Sequence, residues 1–422
     1  MQYQEKEIKK GIEFHELNTN KFKTNLVAVF LTTELTRENV TKNALISTIL
    51  RRGSKNMPSQ EEISKQMEEM YGASFDCGLD KIGDNQVLKF YMETINDDFI
   101  PQQKEKMLKN TLEKILEIVF NPYIENGEFK KEYVEQEKNT IKQRIEGKID
   151  NKARYALNRC IEEMYKDEPY GLYKFGYVED LDAINGKNLY EYYQELIENC
   201  KIDILVSGIL PDDIEEIIKE NENIKNLQER EPKYVMPKLA TKNTEKENVV
   251  TESMEVTQGK LVLGLDIKLE DDKQKYDALL YNSILGGTPN SKMFQNVREK
   301  AHLAYAASSS YIRQKSNIFI NCGIEISNYE KALEIVKKQI EDMKKGDFTE
   351  EDIENAKKGI ISTIDLIDDE QDTGITYYFG QELSNNKISP EEYKEIVQKV
   401  QKDDIVKIAN SVSINTIYFL KD

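Results

Sequence analysis

The chain reads LGGTPNSKMFQNVREKAHLAY over residues 285–305, and this stretch decides the fold. Its glycine pair closes one predicted helix, and a second predicted helix, Ser291–Lys300, leads into a predicted strand at Ala304–Tyr311. We expect Gly287 to cap the first helix in a left-handed conformation, which glycine adopts without strain. Because the GxxxxGK[ST] spacing of a phosphate loop is absent, the glycines indicate a turn between helices.

The first half of the chain repeats this order of elements. A predicted strand precedes a helix that ends at Gly53, and further helices, two strands and a short final strand follow in both halves. Pro101–Phe120 and Tyr329–Met343 are the matching long amphipathic helices. We therefore predict an α+β fold with two homologous domains, 1–225 and 249–422, each a mostly antiparallel sheet with helices packed on it. Residues 226–248, rich in Lys, Glu, Asn and Pro, are predicted to be a linker.

Composition excludes several classes of function. The 422 residues carry a net charge of −18 at a sequence pI near 4.9, which argues against nucleic-acid binding. The four cysteines form no C-x-x-C pair, so neither a zinc ribbon nor a redox motif is indicated. The N-terminus lacks a signal-peptide pattern, and the apolar runs are too short to span a bilayer. We expect a cytoplasmic protein that neither enters nor binds a membrane.

Residues 285–305 resemble the signature of the insulinase (pitrilysin) peptidases, also called inverzincins. The second domain of that family typically carries L-G-G-x-x-x-S-x-x-F-x-x-x-R-E-K-x-x-L-A-Y, and nearly every anchor position is met here. Weaker similarities lie at Met70–Asp76 and Pro169–Gly171. The resemblance implies that the two domains form half of a clamshell, which a second chain of the same fold closes around a chamber.

The resemblance also shows what is missing from the first half. In the family, one helix carries H-x-x-E-H, and a glutamate about seventy residues later completes the zinc site. Aligned on Gly53, the histidine positions hold Ala44 and Thr48, and the general-base position holds Ser47. These side chains offer no imidazole or carboxylate to zinc. The distal ligand falls near Arg144, within residues 137–146, so we expect no zinc and no other cofactor in this chain.

Only two histidines occur, and they are not spaced as metal ligands one helical turn apart. His15 lies on an early strand-like segment, and His302 lies within the signature. His302 is a poor candidate for a catalytic base, because no motif places a cysteine or serine beside it.

Two signature residues point to substrate binding. In the family's two-subunit peptidases, which include bacterial enzymes and the mitochondrial processing peptidase, the zinc-free subunit keeps an arginine and a tyrosine that reach the substrate. The matching residues here are Arg298 and Tyr305. The arginine can donate two hydrogen bonds to a peptide carbonyl, and the tyrosine can donate to the oxygen on which charge develops. A surface ion pair and a half-buried strand residue are the structural alternatives.

These observations predict the non-catalytic, substrate-binding subunit of a heterodimeric metallopeptidase. Its partner would be a homologous chain with H-x-x-E-H and zinc, and its substrate would be a peptide. We expect no activity from the chain alone, which could also pair with itself. The alternative is an inactive pseudo-peptidase that serves as a scaffold or peptide-holding module, in some cases as an accessory to protein modification. A scaffold has no need of Arg298 and Tyr305, so their retention favours the peptidase.

Overall fold

The computed structural model describes residues 1–100, 106–239 and 246–422. These residues form two compact units. The first comprises Met1–Glu146, Leu172–Val235 and Ile367–Glu382, and the second comprises Gly147–Gly171, Met236–Leu366 and Leu383–Asp422. Each unit therefore includes a segment from the other half of the chain, whereas the predicted domains, 1–225 and 249–422, are contiguous.

The first unit is built on a sheet of strands from the first half of the chain. Its strands are β1 (Gln2–Lys9), β2 (Ile12–Asn18), β3 (Thr24–Glu34), β4 (Ser74–Ile82) and β5 (Asn85–Ile95); after the short pair β6 (Ile124–Glu125) and β7 (Glu128–Phe129) comes β8 (Lys201–Gly208). The order across the sheet is β1-β2-β8-β3-β5-β4, so β4 lies at an edge. Only β2 and β8 pair in parallel.

The second unit repeats this topology. Its strands are β9 (Asn248–Ser253), β10 (Gly259–Ile267), β11 (Ala304–Ile312), β12 (Asn317–Ile324) and β13 (Val412–Lys421). Read from the opposite edge, their order is β9-β13-β10-β12-β11, and only β9 and β13 pair in parallel. These strands match β2-β8-β3-β5-β4 one by one in order and direction. The predicted α+β fold of two homologous domains is therefore confirmed.

Helices cover these sheets. In chain order they are α1 (Val40–Ile49), α2 (Gln60–Glu69), α3 (Met107–Phe120), α4 (Lys131–Glu146), α5 (Lys152–Met164), α6 (Val178–Leu181), α7 (Gly186–Asn199), α8 (Ile214–Glu220), α9 (Glu222–Asn226), α10 (Gln274–Asn282), α11 (Tyr329–Lys344), α12 (Glu350–Asp365), α13 (Gln371–Leu383), α14 (Pro390–Lys399) and α15 (Lys402–Ser411). The predicted helix Pro101–Phe120 is helical from Met107, and its residues 101–105 lie outside the described residues.

In each unit, one sheet face contacts a helix from the other half of the chain. In the first unit, Phe379 of α13 packs edge-on against Phe30 of β3, with ring centroids 4.7 Å apart. In the second unit, the Tyr155 hydroxyl of α5 donates to Glu252 of β9 at 2.6 Å. The opposite faces bury the main apolar clusters, which stabilise the units in proportion to the apolar area removed from water. The sequence analysis did not predict which helix would cover each of these sheet faces.

The left-handed cap predicted at the glycines is wrong. Gly53 has an extended backbone with φ of 165°, and Gly287 does not have positive φ either. Both positions instead need the absence of a side chain. A Cβ at Gly53 would lie 2.7 Å from the backbone of Pro58, and one at Gly287 would lie 2.9 Å from Nδ2 of Asn282. Close backbone approach, rather than backbone conformation, explains both glycines.

The predicted linker is partly packed. Between α9 and residue 239, the amide of Arg230 donates to the carbonyl of Lys10 at 3.0 Å, and the amide of Lys233 donates to that of Asn199 at 2.8 Å. The segment therefore belongs to the first unit as far as Val235, and the second unit begins at Met236. Residues 240–245 of the predicted linker lie outside the described residues, and β9 begins at Asn248.

Candidate functional site

The helix α1 carries the two positions aligned with the zinc-binding histidines, Ala44 and Thr48, and the position aligned with the general base, Ser47. Ala44, Ser47 and Thr48 are 0%, 2% and 3% exposed. The Ser47 hydroxyl donates to the carbonyl of Ala44 at 2.8 Å, and the Thr48 hydroxyl donates to that of Leu45 at 3.0 Å. Both hydroxyls thus use their protons on carbonyls of their own helix. With a methyl group and two such hydroxyls, this donor set does not fit zinc.

A buried amide network fixes α1 next to these positions. Asn43 donates through Nδ2 to Oε1 of Gln86 on β5 at 2.9 Å and accepts from the Tyr192 hydroxyl of α7 at 2.9 Å. Gln86 also donates to the carbonyls of Val40 and Lys174, at 3.1 Å and 2.7 Å. Buried polar groups satisfied in this way hold their elements in one arrangement. The helix is thus a structural part of the first core.

The candidate distal position lies on α4, which packs against α1. Glu137, at the start of residues 137–146, is buried and accepts from Nε of Arg52 at 2.5 Å. Arg144, the residue first aligned with the distal ligand, is exposed, and its guanidinium lies 5.6 Å from the ring centroid of Phe175. The carboxylate that faces the end of α1 is therefore Glu137, and its partner is an arginine.

A small groove opens between α2 and the start of β4, and we call it the α2 groove. It has a volume of about 280 Å³. Its apolar lining is Ile63, Met67, Ala73 and Phe75. The rest of the lining consists of Arg51, Gln60, Ser64, Glu68 and Gly72. Next to it, the outer side of β4 pairs with no strand of the described chain, which leaves backbone donors and acceptors at the edge.

The signature folds as predicted into helix, turn, helix and strand, with unusual helical geometry. Ser283–Gly287 and Phe294–Lys300 are π-helical, a form that is rare and frequent at functional sites. Gly286 allows this turn to lie against β11, because a Cβ there would be 2.6 Å from Oγ of Ser309. Ser309 in turn donates to Oδ1 of Asn282 at 2.7 Å.

Arg298 and Tyr305 are both exposed on the second unit. The guanidinium of Arg298 lies 4.6 Å from the ring centroid of Phe294, and its Nε lies 3.5 Å from a carboxylate oxygen of Glu299. Tyr305 is 60% exposed, and its hydroxyl bonds to no residue of the described ranges. The predicted surface ion pair is present but long, and the half-buried alternative for Tyr305 does not fit its exposure.

Local backbone geometry presents Tyr305. The chain leaves the second π-helix through His302, an exposed residue with φ of 54°, and the amide of Leu303 still bonds to the carbonyl of Val297 at 3.1 Å. The register between β11 and β12 then shifts between Ala304 and Ala306, so Tyr305 sits at a bulge. Bulges re-aim side chains at the ends of strands.

The other histidine is part of a buried charge cluster on the first sheet. His15 lies between the Tyr3 hydroxyl, at 2.8 Å from Nδ1, and Asp203, at 2.9 Å from Nε2. Glu13, His15 and Asp203 are close enough to hold a cation, but the Lys201 ammonium already donates to both carboxylates. Burial alone would raise the pKa of Asp203; Lys201 and His15 outweigh it and hold that pKa below its usual range.

Comparison with known proteins relates this chain to a family of peptidases. The family model described as "Peptidase M16 inactive domain" matches residues 183–360 of this chain. The probable inactive metalloprotease YmfF of Bacillus subtilis (strain 168) is 34% identical over 417 residues, which cover 97% of this chain and 96% of that protein. The uncharacterized zinc protease YmxG of the same organism is 24% identical over 315 residues, covering 72% of this chain and 70% of that protein.

Solved structures show the same fold over the whole chain. A conserved protein from Enterococcus faecalis V583 has a TM-score of 0.91 at 27% identity and covers 100% of this chain and 99% of its own. The peptidase M16 inactive domain from Pseudomonas fluorescens has a TM-score of 0.81 at 16% identity, with 100% and 98% covered. The chain belongs to the M16 peptidase family, the insulinase family of the sequence analysis, and resembles its inactive members.

Within the three described ranges, every helix is either too short or too polar to cross a lipid bilayer.

Proposed function

We propose that this chain is the zinc-free, substrate-binding subunit of a two-chain M16 metallopeptidase in the bacterial cytoplasm. The observation that carries the proposal is the contrast between a packed α1 without metal ligands and an Arg298–Tyr305 pair that remains exposed and poorly partnered. An arginine and a tyrosine serving only the fold would be expected to pack against it or to bond with it.

In this proposal the chain binds the peptide and its partner cuts it. The partner is a homologous chain with H-x-x-E-H that supplies zinc, water and the general base. The peptide adds as a strand to a free sheet edge, where unpaired backbone groups give affinity. Arg298 donates a forked pair of hydrogen bonds to a peptide carbonyl, and Tyr305 donates to the oxygen on which negative charge develops.

The test is purification of the chain alone and together with an H-x-x-E-H homologue from the same organism. We expect neither stoichiometric zinc nor peptide cleavage from the chain alone, and both from the mixture. In the mixture, Arg298→Ala and Tyr305→Phe should each lower kcat, by about 10²-fold if an oxyanion donor is lost. Metal content and the rate of cleavage of a quenched fluorescent peptide are the readouts.

Matched controls lie beside both residues. Lys300→Ala removes an exposed cation from the same helix as Arg298, and Ser308→Ala changes an exposed residue of the same strand as Tyr305. Both should leave cleavage unchanged. If Arg298→Ala and Tyr305→Phe behave like these controls, the assigned roles are wrong. Stoichiometric zinc in the chain alone, held around Ala44 to Thr48, would refute the whole proposal.

The second candidate is a pseudo-peptidase that holds peptides, acts as a scaffold or serves a protein-modification pathway without any cleavage. The relative that is 34% identical over nearly the whole chain is named a probable inactive metalloprotease, which favours this candidate. It predicts that no mixture with a zinc-bearing homologue cleaves peptide. Mass measurement of the isolated chain would then show whether it pairs with itself.

A further inference from the structure

Among the described residues, Arg51 is a cation without an acidic partner, and it directly follows helix α1. It lies in the short 3₁₀ turn Leu50–Arg52 that follows α1, is half-buried, and lines the α2 groove. Its neighbour Arg52 is bound to Glu137. No carboxylate of the described residues pairs with Arg51 itself. Two adjacent arginines therefore differ: one serves the packing of α4, and the other is free to meet a ligand.

The groove beside Arg51 suits an apolar side chain. Ile63 and Met67 of α2 are buried in its wall, and Phe75 of β4 is half-buried against them. The groove starts where β4 starts, so a strand added to the edge of β4 would run past its opening. Apolar pockets with one or a few polar groups at the rim are the usual form of a specific binding site.

A second arginine faces the same part of β4. Cys77 lies two residues after Phe75 and on the same face. Burial raises the pKa of its thiol, the positive charges of Arg51 and Arg144 oppose that rise, and the negative charges of Asp76 and Glu137 add to it. Arg144 contacts the ring of Phe175 and pairs with no carboxylate in the described ranges. Of the acids nearby, Glu137 is bound to Arg52, while Glu68 and Asp76 are exposed.

We propose that this surface selects an acidic peptide: a strand added to β4 places an apolar side chain in the α2 groove and pairs an aspartate or glutamate carboxylate with Arg51. The inference rests on the proposed peptide-binding function and adds the class of peptide. Arginine binds carboxylates through two parallel hydrogen bonds. The net charge of −18 would favour basic peptides at long range, but a contact shorter than the Debye length of about 8 Å is decided by the local arginines.

The experiment measures binding of fluorescent peptides to the full chain by anisotropy. Three matched peptide sets share one leucine and carry Glu, Gln or Lys at the flanking positions. We expect the Glu set to bind about 10-fold more tightly than the Gln set, with the Lys set weakest. Arg51→Gln should abolish the difference between Glu and Gln, and Arg51→Glu should reverse the preference toward Lys.

Control variants separate this inference from the proposed function. Arg154→Gln, an exposed arginine of α5, should leave all affinities unchanged. Ser64→Leu, which fills the groove from the exposed side of α2, should weaken leucine peptides several-fold more than alanine peptides. Because Arg51 and Ser64 are not buried, circular dichroism should show folded variants. If peptides bind without an acidic preference, or the preference survives Arg51→Gln, this inference fails alone; if no peptide binds, the peptide-binding proposal fails too.

Discussion

The first unit buries the helix positions aligned with the zinc site of the family, and the second unit exposes the signature residues Arg298 and Tyr305. On α1, a methyl group and two back-bonded hydroxyls are packed inside a core. On the second unit, a π-helix and a strand bulge hold Arg298 and Tyr305 toward solvent. The two units share one topology, so the difference lies in side chains rather than in fold. In the first unit the positions aligned with the zinc site are packed into the core, whereas in the second unit Arg298 and Tyr305 remain exposed.

The strongest test of this comparison restores the missing ligands. Ala44→His, Ser47→Glu and Thr48→His together place three larger, polar side chains at sites that are at most 3% exposed. Overpacking and a buried carboxylate should lower the free energy of unfolding by about 3 kcal/mol or more. Urea unfolding with and without zinc measures it, and Thr48→Val is the small-change control. If the triple variant keeps full stability and binds one zinc, the packing around α1 does not exclude a metal site, and only these three side chains separate the first unit from one that binds zinc.

The ion pair at the end of α1 should show the next largest effect. Glu137→Gln leaves Arg52 without its carboxylate in a largely buried place, which should lower the free energy of unfolding by about 2 kcal/mol. The value is below that of a fully buried pair because the Arg52 side chain is 25% exposed. Glu135→Gln, which removes an exposed partner of Lys138 from the same helix, should cost less than about 0.5 kcal/mol. Equal losses in the two variants would show that the Arg52 contact is not structural.

The first unit buries charge on its sheet as well, and this should appear as a dependence on pH. The folded-state pKa of Asp203 is lowered from 3.8, so its contribution to stability is complete above that value and is lost as the pH falls through the folded pKa. Below about pH 4, the free energy of unfolding should therefore fall less steeply with decreasing pH in Asp203→Asn than in the wild type. Asp167→Asn, an exposed change in the second unit, should leave the acid slope as it was. A wild-type slope in Asp203→Asn would contradict the assignment.

The smallest expected effect concerns the exposed pair. Because Arg298 and Tyr305 make few contacts, Arg298→Ala and Tyr305→Phe should change the free energy of unfolding by less than about 0.5 kcal/mol. Thermal unfolding of the single variants is the measurement. A loss above about 1 kcal/mol in either variant would mean that the residue serves the fold, and the contrast between the two units would disappear.

Much of the fold could be predicted because its signals are local. The apolar runs around Val29 and Leu263 gave the central strands, and the repeated order of elements gave the second unit. The changes at Ala44, Ser47 and Thr48 could be found from the sequence, because the absence of a histidine or glutamate side chain at an aligned position is visible without any structural information. What could not be predicted depends on contacts distant in sequence. An amphipathic helix such as α5 shows that it covers a surface but not which one.

The same limit applies to the site. Arg51, Cys77 and Arg144 lie on three separate elements and come together only in the fold, so no spacing in the sequence could associate them. Glu137 was within the expected range, but only its contact with Arg52 distinguishes it from its neighbours. Gly53 suggested a helix cap, whereas the close approach of Pro58, five residues later, is what requires it. The bulge at Tyr305 is set by pairing with β12, which the signature does not encode.

Each unit includes a segment from the other half of the chain, and this affects when the first unit can fold during synthesis. The sheet face around Phe30 is made in the first half of the chain. Phe379, which covers it, is synthesised more than three hundred residues later. Until then that surface stays open to chaperones or to other nascent chains. Completion of the first unit is thereby delayed until the segment that contains Phe379 has been synthesised.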